Sequence, residues 1–194
     1  TLPVKYLRLN TGLGSRNDSV ETTNTRRGVR VPGKDIAEYS ALSAIAGLEG
    51  RTKFGPAYAA LDAQIEMALK GDYDRTAIKA RPTIGLMSNS LGIGVGGALS
   101  NEAFKNFQLR NGYSFDKTKV QKGFAGELTA RSNTMELRLI AESLNGSEEQ
   151  TLRNSGSQIN STTDYLDSIN YEARLRAALG SFEVDGTLRQ SNEK

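Results

Sequence analysis

The sequence of 194 residues contains no histidine, no cysteine and no tryptophan. Without imidazole or thiol groups the chain has no disulfide framework, no Cys or His metal site, no cysteine nucleophile and no Ser-His-Asp triad. Only carboxylate, lysine, tyrosine and backbone groups remain for catalysis, and the close carboxylate pairs lie in polar segments or in the first turn of a predicted helix. We therefore expect a protein that is not an enzyme and that has no cofactor or metal.

Large apolar residues are also scarce. Leu, Ile, Val and Phe account for 43 of the 194 residues, close to the roughly 20% below which a chain rarely buries enough apolar surface to fold alone. We therefore expect other proteins to complete the core of this chain.

No run of 18 apolar residues occurs, because the least polar stretch, 84–99, is interrupted by Ser88, Asn89, Ser90 and five glycines. The sequence therefore predicts a soluble chain with no membrane span. The amino end lacks the apolar segment of a signal peptide. Earlier removal of a longer leader is an open alternative, so the compartment stays unassigned.

The charges are distributed unevenly along the chain. Residues 1–34 carry seven basic and two acidic residues, whereas residues 123–194 carry seven basic and eleven acidic residues. A basic front segment favours a protein partner with an acidic surface, or self-association. Nucleic acid is a weaker candidate, because aromatic residues do not alternate with the arginines as stacking platforms. The candidate partner-binding residues in this segment are Tyr6, Arg8, Arg16, Arg26, Arg27 and Arg30.

The pattern along the chain predicts four regions. Residues 1–33 form an extended basic arm, because prolines and a polar tract leave no helical stripe, while residues 2–6 alternate as a short extended anchor. Residues 34–146 form a helical region, 147–163 a polar linker, and 164–194 a C-terminal helix and tail. A frayed amino end is the alternative for the anchor.

Apolar spacings of three and four predict helices over 35–47, 56–71, 101–110 and 164–180. A further helix is expected over 127–144, with a strand near 135–141 as the alternative. The predicted fold class is mainly α: small helical hairpins joined by long extended or irregular segments, with little or no β-sheet.

A glycine-rich loop is expected over 85–97. Gly92, Gly94 and Gly97 match the G-x-G-x-x-G pattern of dinucleotide sites. However, Ser88, Asn89 and Ser90 stand where a buried strand would have to precede the glycines, and no further βαβ units are visible. The favoured interpretation is a flexible or tightly packed loop that another backbone approaches closely.

An aromatic and cationic surface is the candidate site in the middle of the chain, although the same aromatic residues also suit a core. The candidate partner-binding residues here are Phe104, Phe107, Arg110 and Tyr113.

Together these features predict a non-catalytic structural or linker subunit that joins and orders other proteins in a large assembly. In composition the chain is similar to the basic linker polypeptides of light-harvesting antenna complexes such as phycobilisomes, although it contains no motif of those families. A viral or phage coat or tail protein is one alternative. A small nucleotide-binding protein that uses the glycine-rich loop is the other.

Overall fold

A computed structural model describes residues 6–26, 29–71, 73–108, 113–154, 157–179 and 182–193; within these ranges the side chains of 15–39 and of 107, 108, 179, 182, 183 and 193 are not described. Each strand pairs antiparallel with the next, in the order β1 to β9, and the single sheet curls into a half-barrel. The strands are β1 Tyr6–Arg26, β2 Val29–Phe54, β3 Ala57–Gly71, β4 Asp74–Met87, β5 Leu91–Gln108, β6 Tyr113–Arg131, β7 Met135–Asn154, β8 Ser157–Leu179 and β9 Phe182–Glu193.

The prediction of a mainly α, helical protein is wrong, because every regular element in these ranges is a strand. The predicted helix 35–47 lies in β2, 56–71 corresponds to β3, the described part of 101–110 ends β5, and 164–180 falls in β8 as far as it is described. The segment 127–144 is the hairpin of β6 and β7, and the alternative strand near 135–141 lies within β7. The predicted arm and linker also contribute strands. Among the described residues, no helix is long and apolar enough to cross a membrane.

The helix predictions failed because a spacing of four residues suits both structures. Leu61, Ile65 and Leu69 recur every four residues, which places them on one side of a helix and equally on one side of a strand. The positions between them decide the outcome. Asp62 and Glu66 occupy even positions while the odd positions are apolar, which is the period of two that defines a strand.

β3 shows how this alternation divides the sheet into two faces. Its even positions point to the concave face, where Tyr58 is only 2% exposed. Its odd positions point to the convex face, where Met67 is 49% exposed. The convex residues of β3 are Ala57, Ala59, Leu61, Ala63, Ile65, Met67 and Leu69.

Tight turns connect the strands along one rim of the sheet. Ser88 accepts a hydrogen bond from the Leu91 backbone N–H at 2.9 Å, and Ser132 accepts one from the Met135 N–H at 3.0 Å. Gly55 makes the third turn with a φ of +61°, a left-handed conformation that glycine adopts without steric cost. Polar residues 88–90 are therefore a turn between β4 and β5 and not part of a glycine-rich loop.

Glycines on the concave face allow neighbouring strands to approach closely. A Cβ atom at Gly85, Gly96, Gly123 or Gly146 would lie 2.2, 2.0, 1.8 or 1.9 Å from a carbonyl oxygen of the adjacent strand. No side chain fits at such distances. Glycines at positions of this kind let a sheet bend sharply, so we attribute the curl of the sheet partly to them.

The segment 85–97, predicted to be a loop, is instead part of β4, a turn and part of β5. Another backbone does approach closely there, because Gly85 and Gly96 face carbonyl oxygens of adjacent strands, and at Gly94 a side chain approaches as well. A Cβ atom at Gly94 would lie 2.1 Å from the hydroxyl oxygen of Tyr58, so the glycine leaves room for the tyrosine to lie across the concave face.

Replacing Gly123 with alanine is expected to lower the free energy of unfolding by about 1–3 kcal/mol, because the new methyl group would overlap Ser143 O and force the strands apart. Gly126→Ala is the matched control on the same strand, where a Cβ atom meets no atom within 4 Å; we expect it to change stability by less than about 1 kcal/mol. Urea unfolding followed by far-UV circular dichroism measures both. Equal effects would contradict the role of Gly123 in the curl.

Candidate functional site

Charged side chains occupy the middle of the concave face. Arg51 donates a hydrogen bond to Oε1 of Glu127 at 2.5 Å, and Arg138 donates one to Oε2 of Glu127 at 2.6 Å. Tyr58 and Thr129 also donate to Oε1 of Glu127, at 3.3 and 2.9 Å. The side chains of Arg51, Glu127 and Arg138 are at most 3% exposed. One buried carboxylate thus joins arginines from β2 and β7.

A second carboxylate, Glu49 on β2, accepts hydrogen bonds from three other strands. Arg138 donates to Oε1 at 2.6 Å, Arg176 to Oε2 at 2.8 Å, and the Tyr6 hydroxyl to Oε1 at 2.7 Å. β2 is separated from β7 and β8 by several strands in the sheet order. These contacts therefore cross the interior of the curled sheet and hold its two halves together.

A third group centres on Arg81 of β4. Its Nε donates to Glu142 at 2.6 Å and its Nη2 donates to Glu172 at 3.3 Å. Its Nη1 lies 3.4 Å from a carboxylate oxygen of Asp62. Glu172 also accepts hydrogen bonds from Arg189 at 3.0 Å and from Arg174. We call these three groups together the arginine–carboxylate lattice; its members are Glu49, Arg51, Asp62, Arg81, Glu127, Arg138, Glu142, Glu172, Arg174, Arg176 and Arg189.

The lattice keeps the carboxylates of Glu127 and Glu172 ionised. Burial by itself raises the pKa of Glu127, but the charge of Arg138 outweighs it and holds that pKa below its ordinary value. Burial likewise opposes ionisation of Glu172, yet Arg174 and Arg81 lower its pKa to about 2. Both groups therefore bear full negative charge at neutral pH.

Two tyrosine hydroxyls stay protonated in the lattice. Burial raises the pKa of Tyr6 to about 12, assisted by the negative charge of Glu49. Burial also raises the pKa of Tyr58 to about 12, assisted by Glu127. Each hydroxyl is thus held as a hydrogen-bond donor to its carboxylate.

A smaller cluster lies on the concave face toward the other rim. Arg75 is 2.5 Å from carboxylate oxygens of both Glu66 and Glu102, and its guanidinium lies 5.4 Å from the ring centre of Phe104. The Phe104 ring is 5.9 Å from that of Tyr73. This cluster adds aromatic packing to charge pairing.

The charged groups of the concave face are suited to holding the strands together by ion pairs. A general acid needs a pKa near the working pH, whereas the pKa values of Glu49, Glu127 and Glu172 are all lowered. Within the described ranges no group of three or more acidic residues is placed to hold a metal ion.

Of the residues predicted to bind a partner near the amino end, Tyr6 and Arg8 are described with their side chains. The Arg8 guanidinium lies 5.3 Å from the centre of the Tyr6 ring and 3.6 Å from the carboxylate of Asp185 on β9. Both side chains therefore have contacts within the chain. The backbones of Arg16, Arg26 and Arg30 lie in β1 and β2 but their side chains are not described, and Arg27 lies outside the described residues.

The predicted aromatic and cationic group is spread along β5 and β6. Phe104 is buried on the concave face and pairs in register with Lys117, four residues from Tyr113. Tyr113 begins β6 and is half-buried. The backbone of Phe107 lies in β5, but its side chain is not described. Arg110 lies outside the described residues.

Sequence reasoning did not find the lattice. A signal was present: Glu136 and Arg138 alternate with Leu137 and Leu139. A charged residue at every second position of an apolar segment indicates a strand with one charged face. The partner strands could not be identified this way, because Arg138 contacts Glu49, 89 positions away in sequence.

The convex face carries the large apolar residues. Twenty-nine large hydrophobic side chains of the described residues are exposed, among them Val95 at 63%, Phe124 at 81% and Leu128 at 55%. Folded monomers in water rarely expose so large a contiguous apolar area. With Arg51 and Arg138 buried, the usual arrangement of a protein in water is inverted.

Most of these residues form a continuous uncharged band next to the tight-turn rim. Beyond the band the convex positions become polar, as at Thr118 of β6 and at Asn145 and Glu149 of β7. Lys122 lies at this boundary. The band consists of the convex positions within 42–54 of β2, 57–69 of β3, 78–86 of β4, 91–99 of β5, 124–130 of β6, 135–141 of β7 and 169–177 of β8.

Arg138→Met is expected to lower the free energy of unfolding by about 3–5 kcal/mol, because it removes the buried positive charge that Glu127 and Glu49 share and leaves each carboxylate with one arginine fewer. The double variant Arg138→Met with Glu127→Gln should recover part of the loss. Arg153→Met is the control, since Arg153 is 39% exposed and pairs with Asp116, and it should cost about 1 kcal/mol or less. Denaturant titration measures all three. No difference between Arg138→Met and Arg153→Met would contradict the bracing role.

The contribution of Glu172 is expected to depend on pH. Its pKa is lowered from 4.5 to about 2 in the folded chain, so its stabilising effect is complete above about pH 4.5 and is lost as the pH falls toward 2. Glu172→Gln should therefore reduce stability at pH 6 and much less at pH 3. Urea midpoints of both proteins at the two pH values test this; a loss independent of pH would contradict it.

No protein-family model matches the sequence, and no curated protein or solved structure is similar to it. The features that bear on function are therefore the two faces of the sheet: a charged concave face held by ion pairs and an exposed apolar convex band.

Proposed function

We propose that this chain is a membrane-embedded structural protein whose strands cross a lipid bilayer, with the convex band against the acyl chains and the arginine–carboxylate lattice in the interior. The observation that carries the proposal is the inversion of the two faces. An exposed apolar band is unfavourable in water and favourable in hydrocarbon.

The length of the band on β2 to β5 and on β8 fits a bilayer. A tilted strand needs about 9–11 residues to cross the hydrocarbon. The convex runs of β4 and β5, 78–86 and 91–99, contain nine residues each, and the run of β3, 57–69, contains thirteen. The convex side chains within them are uncharged. Backbone groups between the strands pair along the sheet, as a bilayer requires.

The interior favours a structural role over conduction. Arginines and carboxylates from opposite strands meet at 2.5 to 2.8 Å in the middle of the concave face. Ionic side chains this closely paired link opposite strands across the interior with fixed contacts. The lattice thus serves as the polar core that a sheet with an apolar exterior needs.

The proposal keeps the non-catalytic structural role expected from the sequence, but it places the chain in a membrane and not in water. The expectation of a soluble chain came from the lack of a long apolar run, but alternating strands need apolar residues at every second position only. The expected protein partner with an acidic surface stays a prediction. An uncharged convex band such as that around Val95 and Leu128 is better suited to lipid than to an acidic protein.

Single cysteines introduced into this cysteine-free chain test the proposal. Leu128→Cys places a fluorescent label in the band, Thr118→Cys places one on the same strand and face outside it, and Asn133→Cys places one in a turn. In phosphatidylcholine vesicles we expect strong quenching of the Leu128 label by acyl-chain quenchers and weak quenching of the other two. A quencher dissolved in water should give the reverse order.

Circular dichroism confirms that each labelled protein is folded. Equal access of the water-soluble quencher to all three labels in folded protein would contradict the proposal. A folded chain that does not bind vesicles but buries Leu128 by assembling with other copies would favour the coat-protein alternative.

A further inference from the structure

The two edges of the sheet are the surfaces that the proposed function leaves unexplained. Within the described residues β1 pairs only with β2, and β9 pairs only with β8. Unpaired backbone N–H and C=O groups cost several kcal/mol each in hydrocarbon. If the sheet crosses a bilayer as proposed above, both edges therefore need a partner strand.

Side chains show that the two edges lie near each other. Arg8 of β1 is 3.6 Å from Asp185 of β9, and the guanidinium of Arg176 on β8 lies 5.2 Å from the ring centre of Tyr6 on β1. In the part of the chain that the structure describes, the sheet order nevertheless contains no pairing of β1 with β9. The gap is therefore wider than one strand spacing of about 4.8 Å and narrow enough for two side chains to bridge it.

The direction of the strands limits what fits between these edges. In a sheet of nine successive antiparallel strands, β1 and β9 run in the same direction. A single inserted strand would be antiparallel to both, and it would widen the separation of β1 and β9 to two spacings, about 10 Å. If two strands were inserted antiparallel to each other, one of them would pair parallel with β1 or β9. A second copy of the nine-stranded sheet is too wide for the gap.

We infer that the gap between β1 and β9 is a strand-addition site. It takes one extended peptide segment that is not among the described residues and that runs antiparallel to both edge strands. Its outward positions are apolar, because they continue the convex face between Leu7 and Leu9 on one side and Val184 and Leu188 on the other, all at least 53% exposed. Its inward positions are polar, because they lie beside the pair of Arg8 and Asp185. Backbone hydrogen bonds supply the affinity and the alternation supplies the selectivity.

The test uses the variant Leu7→Cys with Val184→Cys, which carries one thiol on the convex face of each edge, folded in phosphatidylcholine vesicles. We expect little direct disulfide on oxidation and efficient linkage by a bifunctional maleimide with a spacer of about 10 Å. The pair Leu128→Cys with Leu139→Cys is the control. These residues are registered neighbours on β6 and β7, so they should oxidise readily.

A ten-residue synthetic peptide with alternating Leu and Thr and one central Cys then serves as the probe. We expect it to form mixed disulfides at the edge thiols with several-fold higher yield than a peptide of the same composition whose leucines are grouped in one half. Equal yields would overturn the inference. So would an intramolecular disulfide between positions 7 and 184, which means that β1 and β9 pair directly, or a disulfide between two chains, which means that a second copy occupies the edge.

The label at position 128 separates this inference from the function on which it rests. If that label is quenched by lipid while the edge experiment fails, only the strand-addition site is refuted. If the label faces water, the membrane proposal fails first.

Discussion

Pairing of arginines with carboxylates inside the curled sheet is the interaction on which the rest of the structure depends. Arg138 alone contacts Glu49, Asp62 and Glu127 on three other strands. Because most large apolar side chains point outward, only small apolar clusters, such as that of Ala98, Ala125 and Leu144, accompany the charged groups on the concave face. Close strand approach at concave glycines such as Gly123 curls the sheet, and the curl brings opposite charges into contact.

The low content of large apolar residues has a different meaning in this fold. A protein with an apolar core surrounds that core on all sides, whereas this sheet needs apolar residues at one position in two along part of each strand. Most of the Leu, Ile, Val and Phe side chains that the structure describes are therefore exposed on the surface and not enclosed. The inference that neighbouring proteins must complete a core assumed the first arrangement.

Local pattern contained part of the fold. The alternation of Asp62 and Glu66 with Leu61 and Ile65 marks β3 as a strand, and the alternative strand near 135–141 was visible for the same reason. Helix predictions prevailed because an apolar spacing of four fits both periods, and only the residues between distinguish them.

The site was less accessible from sequence, since its contacts join distant positions. The hydrogen bond between Arg176 and Glu49 spans 127 positions, and no local spacing encodes such a pair. It depends on the register of eight successive strand pairings and on the curl. The role of Gly94, which makes room for Tyr58, likewise becomes visible only when β3, β4 and β5 are placed side by side.

The two rims of the sheet are unequal. At one rim, serine side chains close compact turns at 88–90 and 132–134, directly beside the apolar band. At the other, β7 and β8 continue with mostly polar exposed positions through 143–154 and 157–167. In the proposed bilayer setting this asymmetry gives insertion a direction. The compact rim carries few polar groups through the hydrocarbon, so it can enter the bilayer first. The polar ends of β7 and β8 then stay on the side from which the chain entered.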